Sequence, residues 1–190
     1  MNQYSVKKVA NAIVYFSEYN VQHVGKTKLM KLMYFADKMH LQNYGKTIFC
    51  DDYYKLQRGP VASLTLNIIN NINEDDNEDF KSYTDEFLDV LNIDIKKDNG
   101  EKITNFRPKS SFQKELFSKS ELKILKSISE KYRLYTKEQI SEESHHLTEY
   151  INTELNSIID IVDMVDEEEQ KEYIKYWQNE HKQFNKMIHS

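Results

Sequence analysis

The sequence predicts a mainly α-helical, compact domain with a short strand near residues 52–57 and a small β-hairpin near 93–106. Three observations carry this. Only four glycines and two prolines serve 190 residues, too few for the tight turns of an all-β fold. Apolar residues recur at the i, i+3, i+4, i+7 spacing of helices in segment after segment. The chain is 39% hydrophobic and 12% aromatic, more than a disordered chain carries. A length of 190 residues fits one domain, 1–190, and lets about 70% of the unfolded surface be buried, enough for a core without staples.

The first helix runs from about Ser5 to Tyr19, with Val6, Val9, Ala10, Ile13 and Phe16 on one face. Residues Asn20 to Gly25 break it. Thr27 then stands at an N-cap position before Leu29, Leu32, Met33, Ala36, Met39 and His40, a second helix that ends near Gly45. In Asp52–Gln57, Tyr54 and Leu56 alternate with Tyr53 and Lys55, the period-2 pattern of a strand. Gly59-Pro60 ends that strand and opens a helix, because proline suits a first helical position. Val61, Leu64, Ile68, Ile69 and Ile72 then form its apolar stripe.

Asn73 to Asp79 reads as an acidic loop whose last carboxylates favour the start of the next helix, through Phe80, Tyr83, Phe87 and Leu91. Asp98-Asn99-Gly100 is the turn between Ile93–Ile95 and Lys102–Phe106. Pro108 to Gln113 is loop. Ser118 with Glu121, and Thr136 with Gln139, each have capping-box spacing before an apolar run. Apolar Leu155–Val165 and an acidic turn at Asp166–Glu169 precede a long C-terminal helix carrying Tyr173, Trp177, Phe184 and Ile188.

The net charge of −5 is the remainder of two unlike regions. Residues 1–73 sum to +5, residues 74–101 to −8, and the rest to −2. A balance of this kind disfavours nucleic acid as a partner, since phosphate binding wants clustered Lys and Arg. Lys26, Lys28, Lys31 and Lys38 are spread around the second helix and read as a solvated face. A single cysteine, Cys50, excludes an internal disulfide, and no segment has the length and hydropathy of a membrane span or signal peptide. The expected setting is cytoplasmic, with no membrane partner.

Catalytic signatures are missing. There is no Gly-x-Gly-x-x-Gly, no Walker loop and no Gly-x-Ser-x-Gly. His145 and His146 point about 100° apart on a helix and cannot both face one metal. Cys50, flanked by Asp51 and Asp52, has its thiolate disfavoured. The expectation is no enzyme, no cofactor and no metal.

The run Lys28-Leu29-Met30-Lys31-Leu32-Met33-Tyr34-Phe35-Ala36-Asp37, then His40, Gly45-Lys46-Thr47-Ile48-Phe49 and Arg58-Gly59-Pro60-Val61, resembles the Panacea antitoxin domain, also called the SocA-like or phage-associated GepA domain. Ser144-His145-His146 with Tyr150 looks like that family's Ser/Thr-His followed by an aromatic. The resemblance covers residues 5–72 well and 110–165 loosely, and leaves 73–109 as a variable insertion. It departs at Leu56, where the family commonly has tryptophan, and at Thr47, where it has proline. It implies an antitoxin of a toxin–antitoxin pair that binds and neutralises a protein toxin, with delivery to a bacterial protease in some relatives. Tyr34, Phe35, His40, Gly59, Pro60 and Val61 are the structural motif it implies.

Tyr53 and Arg58 are expected surface contacts for the partner, because tyrosine and arginine are enriched at binding hot spots; His145 joins them as a toxin-binding candidate. The −8 segment would suit a basic toxin. The alternative from another class is a DNA-binding or phage-encoded regulator using the +5 lobe, although no two-helix unit with a basic second helix is evident.

Overall fold

The computed structural model describes residues 5–72, 78–98 and 101–188. Helix α1 (Val6–Glu18) is capped by Ser5, whose hydroxyl accepts from the Lys8 amide. Its buried side is almost wholly apolar, from Val6 through Val9, Ile13 and Phe16. Helix α2 (Lys26–Tyr44) follows and stops at Gly45, which takes the left-handed conformation at φ 69°. Both helices fall where the periodicity places them, except that α2 begins at Lys26 with Gly25 as its N-cap and no side-chain cap, so Thr27 lies inside the first turn and is not the cap.

The ten consecutive residues Lys28 to Asp37 are all buried. A helix buried all round is packed on every side, so α2 is the axis of the fold rather than an amphipathic surface helix. This corrects the reading of its lysines as a solvated face. Lys28 and Lys31 lie inside, because the elements that enclose them come from far along the chain.

Strands β1 (Tyr53–Leu56) and β2 (Gly59–Ala62) form an antiparallel hairpin with Leu56 opposite Gly59. Helix α3 (Ser63–Asn71) therefore starts after β2, not at Gly59-Pro60 as the sequence suggested. The reason is tertiary: Gly59 sits at φ 97°, outside helical space, and the Pro60 carbonyl is held by the Lys31 ammonium at 2.7 Å. The cap of α3 is instead Asp51, whose carboxylate accepts from the amides of Leu64 and Thr65 at 3.0 and 2.9 Å.

Helix α4 (Glu78–Val90) runs straight into β3 (Leu91–Asp98), which pairs with β4 (Glu101–Pro108) over eight residue pairs. The expected hairpin is thus present and longer at both ends. Its Asn99-Gly100 turn, and residues 73–77 of the acidic loop, lie outside the described residues. Helices α5 (Lys119–Tyr132) and α6 (Lys137–His145) both begin at the anticipated capping boxes, on Ser118 with Glu121 and Thr136 with Gln139. A short α7 (Thr148–Asn152) and a 3-10 turn at Ile161–Met164 lead to α8 (Glu168–Ile188).

Residues 156–159 add to the outer edge of β1. The Asn156 amide donates to the Lys55 carbonyl, the Lys55 amide to Ser157, and the Ile159 amide to Tyr53. One apolar cluster runs through the described residues from Val6 to Ile174. No helix among them is long and apolar enough to cross a membrane.

Candidate functional site

Helix α2 positions four polar side chains in the interior, each with a defined set of partners. The Lys28 ammonium donates to the carbonyls of Gln22 and Tyr135, both at 2.6 Å. Burial pushes its pKa down to about 8, and that of Lys31 down to about 7. Neither lysine has a carboxylate partner among the described residues. Asp37 accepts from the amides of Ile48 and Phe49 at 2.6 and 3.0 Å and from the Tyr53 hydroxyl at 2.7 Å. Desolvation raises the Asp37 carboxyl to about 7, against the pull of those three donors.

His40 ties the end of α2 to the start of α5. Its Nδ1 faces the Lys46 carbonyl at 2.6 Å. A carbonyl can only accept, so Nδ1 carries the proton and Nε2 accepts from the Ser120 hydroxyl at 3.1 Å. Burial lowers the His40 pKa, which keeps this neutral form. Earlier on α2, Tyr34 and Lys38 both donate to Glu149 Oε1 at 2.5 Å, anchoring α7.

The β1–β2 turn is clamped from beneath. Tyr150 donates its hydroxyl to the Leu56 carbonyl at 2.7 Å and has the Gly59 amide against the same oxygen. Gly59 itself lies on Lys31 and Ser144: a Cβ there would stand 2.3 Å from Ser144 Oγ and 2.6 Å from Lys31 Cε. Glycine is required at this place by both φ and space. The His145 ring stacks on Tyr150 with centroids 5.1 Å apart and 17° between planes. Its Nε2 is buried without a hydrogen-bond partner among the described residues. The motif residues Lys31, Gly59, Pro60, Ser144, His145 and Tyr150, scattered in the sequence, are thereby one packed assembly that holds the tip of the hairpin.

Around that tip three cavities of about 590, 340 and 420 Å³ adjoin, and each is lined by Thr27 and Arg58. The largest lies between the starts of α2 and α6, at Gly25 to Lys28 and Thr136 to Glu138. The second is lined by His145, Ser141, Lys137 and Glu142. The third has an apolar floor of Met30, Leu56, Val61, Leu66 and Leu155, with Lys26 and Lys31 in its walls.

Of the three partner-contact candidates, Arg58 and His145 line the same cavity, and Arg58 is exposed. Tyr53 is not at the surface. It is 1% exposed, edge-on to Tyr34 at 5.1 Å and bonded to Asp37, so its role is structural. The strand lies where its period-2 pattern predicts, but burial along it does not alternate: Tyr53 is buried, and Tyr54, Lys55 and Leu56 are half-buried. Lys31, Asp37 and Glu149 were missed; the signal for the first two was charge inside an otherwise apolar helical run. Cys50 is half-buried with a raised pKa, chiefly from desolvation, and is not a poised nucleophile. Among the described residues no group of three His, Cys, Asp or Glu side chains could hold a metal.

The model of one protein family, described as antitoxin SocA-like, Panacea domain, matches residues 29–151. That span starts within α2, ends in α7 and includes residues 73–109. It takes in Lys31, Asp37, Arg58, Gly59 and His145, the residues that build and line the hairpin tip. No curated protein and no solved structure matches the chain.

Proposed function

The chain belongs to the SocA-like Panacea antitoxin family, and from that premise we propose that it neutralises a separately encoded protein toxin by binding it directly, without catalysing a reaction. The observation that carries this reading is the family match over residues 29–151. The architecture supports it: buried polar contacts are spent on fixing a surface turn, which is the economy of a binding protein. A preorganised loop loses little entropy on association, so more of the contact energy appears as affinity. The setting is the cytoplasm, and transfer of the bound toxin to a protease is a step that would follow binding.

The test is expression of the neighbouring reading frame. It should arrest growth alone and be tolerated when this protein is co-expressed, with the two purifying as a complex. A neighbour that is harmless alone, or that stays toxic in the pair, would sink the reading. Toxin half-life measured with and without this protein then separates plain sequestration, which lengthens or preserves it, from delivery to a protease, which shortens it.

A further inference from the structure

The groove around Arg58 has a chemistry that specifies its occupant. We propose that it receives an acidic segment of the toxin, with carboxylates over Arg58 and Lys26 and one apolar side chain on the floor formed by Met30, Leu56 and Leu155. The proposal rests on the antitoxin reading above and adds to it the surface used and the character of what docks there.

Charge is the first support. Thr27 and Arg58 are common to all three cavities, whose cationic lining comes from Lys26, Lys28, Lys31, Arg58 and Lys137, against Glu138 and Glu142. Lys28 and Lys31 donate to backbone carbonyls, and burial lowers both, to about 8 and about 7, so the standing charge at the rim comes chiefly from Lys26, Arg58 and Lys137. The chain as a whole is at −5, which makes this local reversal of sign a selective feature and not a general one.

Shape is the second. The third cavity, about 420 Å³, holds a side chain of leucine or phenylalanine size, and Leu155 on its edge is about half exposed at 49%. An apolar floor under a cationic rim fits a peptide that carries both kinds of side chain. It fits a nucleic-acid backbone poorly, since phosphates gain nothing from Met30 and Leu56 and duplex binding wants a longer basic track. Rigidity is the third. Arg58 is presented by a turn whose two flanking residues are fixed through Tyr150 and whose next carbonyl is fixed through Lys31, so its backbone is set before the partner arrives.

The experiment measures affinity between the purified protein and the purified toxic product of the neighbouring frame by calorimetry. The variants are Arg58→Glu with Lys26→Glu in one chain and Asp85→Lys with Glu86→Lys on α4 in another; all four positions are half-buried or exposed. The groove variant should lose about a hundredfold in affinity, as expected for two reversed charge contacts at an interface. The α4 variant should stay within about threefold, and thermal midpoints should confirm that both fold. Toxin addition should also protect the amides of residues 26–31 and 56–61 from exchange.

Tight binding by wild type with an undiminished groove variant would overturn the docking surface while leaving the antitoxin reading intact. A large loss in the α4 variant alone would show that the toxin presents basic residues instead. An Arg58-dependent complex of the wild type with duplex DNA, and none with the toxin, would replace the proposal with nucleic-acid recognition.

Discussion

Helices α1 and α2 are neighbours in sequence and are built on different principles. Helix α1 buries Val6, Val9, Ile13 and Phe16, with Asn11 as its one fully buried polar residue, and its contribution is apolar area removed from water. Helix α2 buries Lys28, Lys31, Asp37 and His40 together with its leucines and methionines. Taking ammonium and carboxylate groups out of water costs several kcal/mol each unless hydrogen bonds compensate. A leucine or methionine would serve the core better at Lys31. What the polar residues achieve is placement: Lys31 holds Pro60, Asp37 holds Ile48, Phe49 and Tyr53, and His40 holds Lys46 and Ser120. One helix stabilises the molecule, and the other fixes the loops that pass over it.

The sharpest way to break this contrast is at the point where α2 meets the hairpin. Gly59→Val adds atoms 2.3 Å from Ser144 Oγ and 2.6 Å from Lys31 Cε at a backbone φ of 97°. Lys31 is flexible and could yield, but its displacement would break the bond to Pro60 and leave a buried charge without a partner. The expected loss is about 4 kcal/mol or more, from overpacking, backbone strain and the stranded ammonium together. Thermal and urea melts read it directly. A midpoint within a few degrees of wild type would show that the hairpin is not seated on α2 as described.

How much of this was legible in the sequence divides along the same line. Helix α1, both capping boxes and the β3–β4 hairpin were readable because each is decided by residues close in sequence: Ser118 with Glu121, Thr136 with Gln139, and an apolar period of 3.6. The fate of Lys28 and Lys31 was not, because whether a lysine is solvated depends on what packs over it, and here that is β2, α5 and α6. Gly59-Pro60 was ambiguous for a related reason. Locally the pair suits a helix start, and only Tyr150 and Lys31 hold it in a strand. Tyr53 shows the limit of composition-based site prediction, since a tyrosine satisfied by a buried carboxylate is indistinguishable in sequence from one awaiting a partner. The resemblance motif was the exception: it named Arg58, Gly59 and His145 together, which spacing alone could not have joined.

A second test concerns the cost of charge within α2. Lys31 has its pKa depressed from an ordinary 10.5 to about 7 by burial. Between those values the unfolded chain binds a proton that the folded chain lacks, so stability attributable to Lys31 rises as pH increases from 7 and is lowest below 7. Lys31→Met abolishes this term at the expense of the bond to Pro60. The urea-derived stability of wild type relative to Lys31→Met should therefore climb between pH 7 and pH 9, by about 1 kcal/mol per unit. No change in that difference across the interval would mean that the ammonium is not buried in the native state. A charge-free substitution on α1, such as Ile13→Val, should cost about 1 kcal/mol with no pH dependence.

The smallest expected effect isolates what proline contributes beside that lysine. Pro60 pairs with Lys55 in the β1–β2 register, and its carbonyl, not its ring, receives the Lys31 ammonium. Alanine supplies the same carbonyl, and the added amide needs only to be tolerated in the ladder with β1. Pro60→Ala should then cost under about 1 kcal/mol, arising from the greater freedom of the unfolded chain, and leave the pH dependence assigned to Lys31 unchanged. Set beside Gly59→Val, the pair separates two functions at adjacent positions: glycine for the space and φ that α2 and α6 demand, proline for stiffening a turn whose geometry the buried side chains already determine. A loss at Pro60 as large as that at Gly59 would shift the determinant from the contacts with α2 to the turn itself, and the contrast between the two helices would lose its clearest consequence.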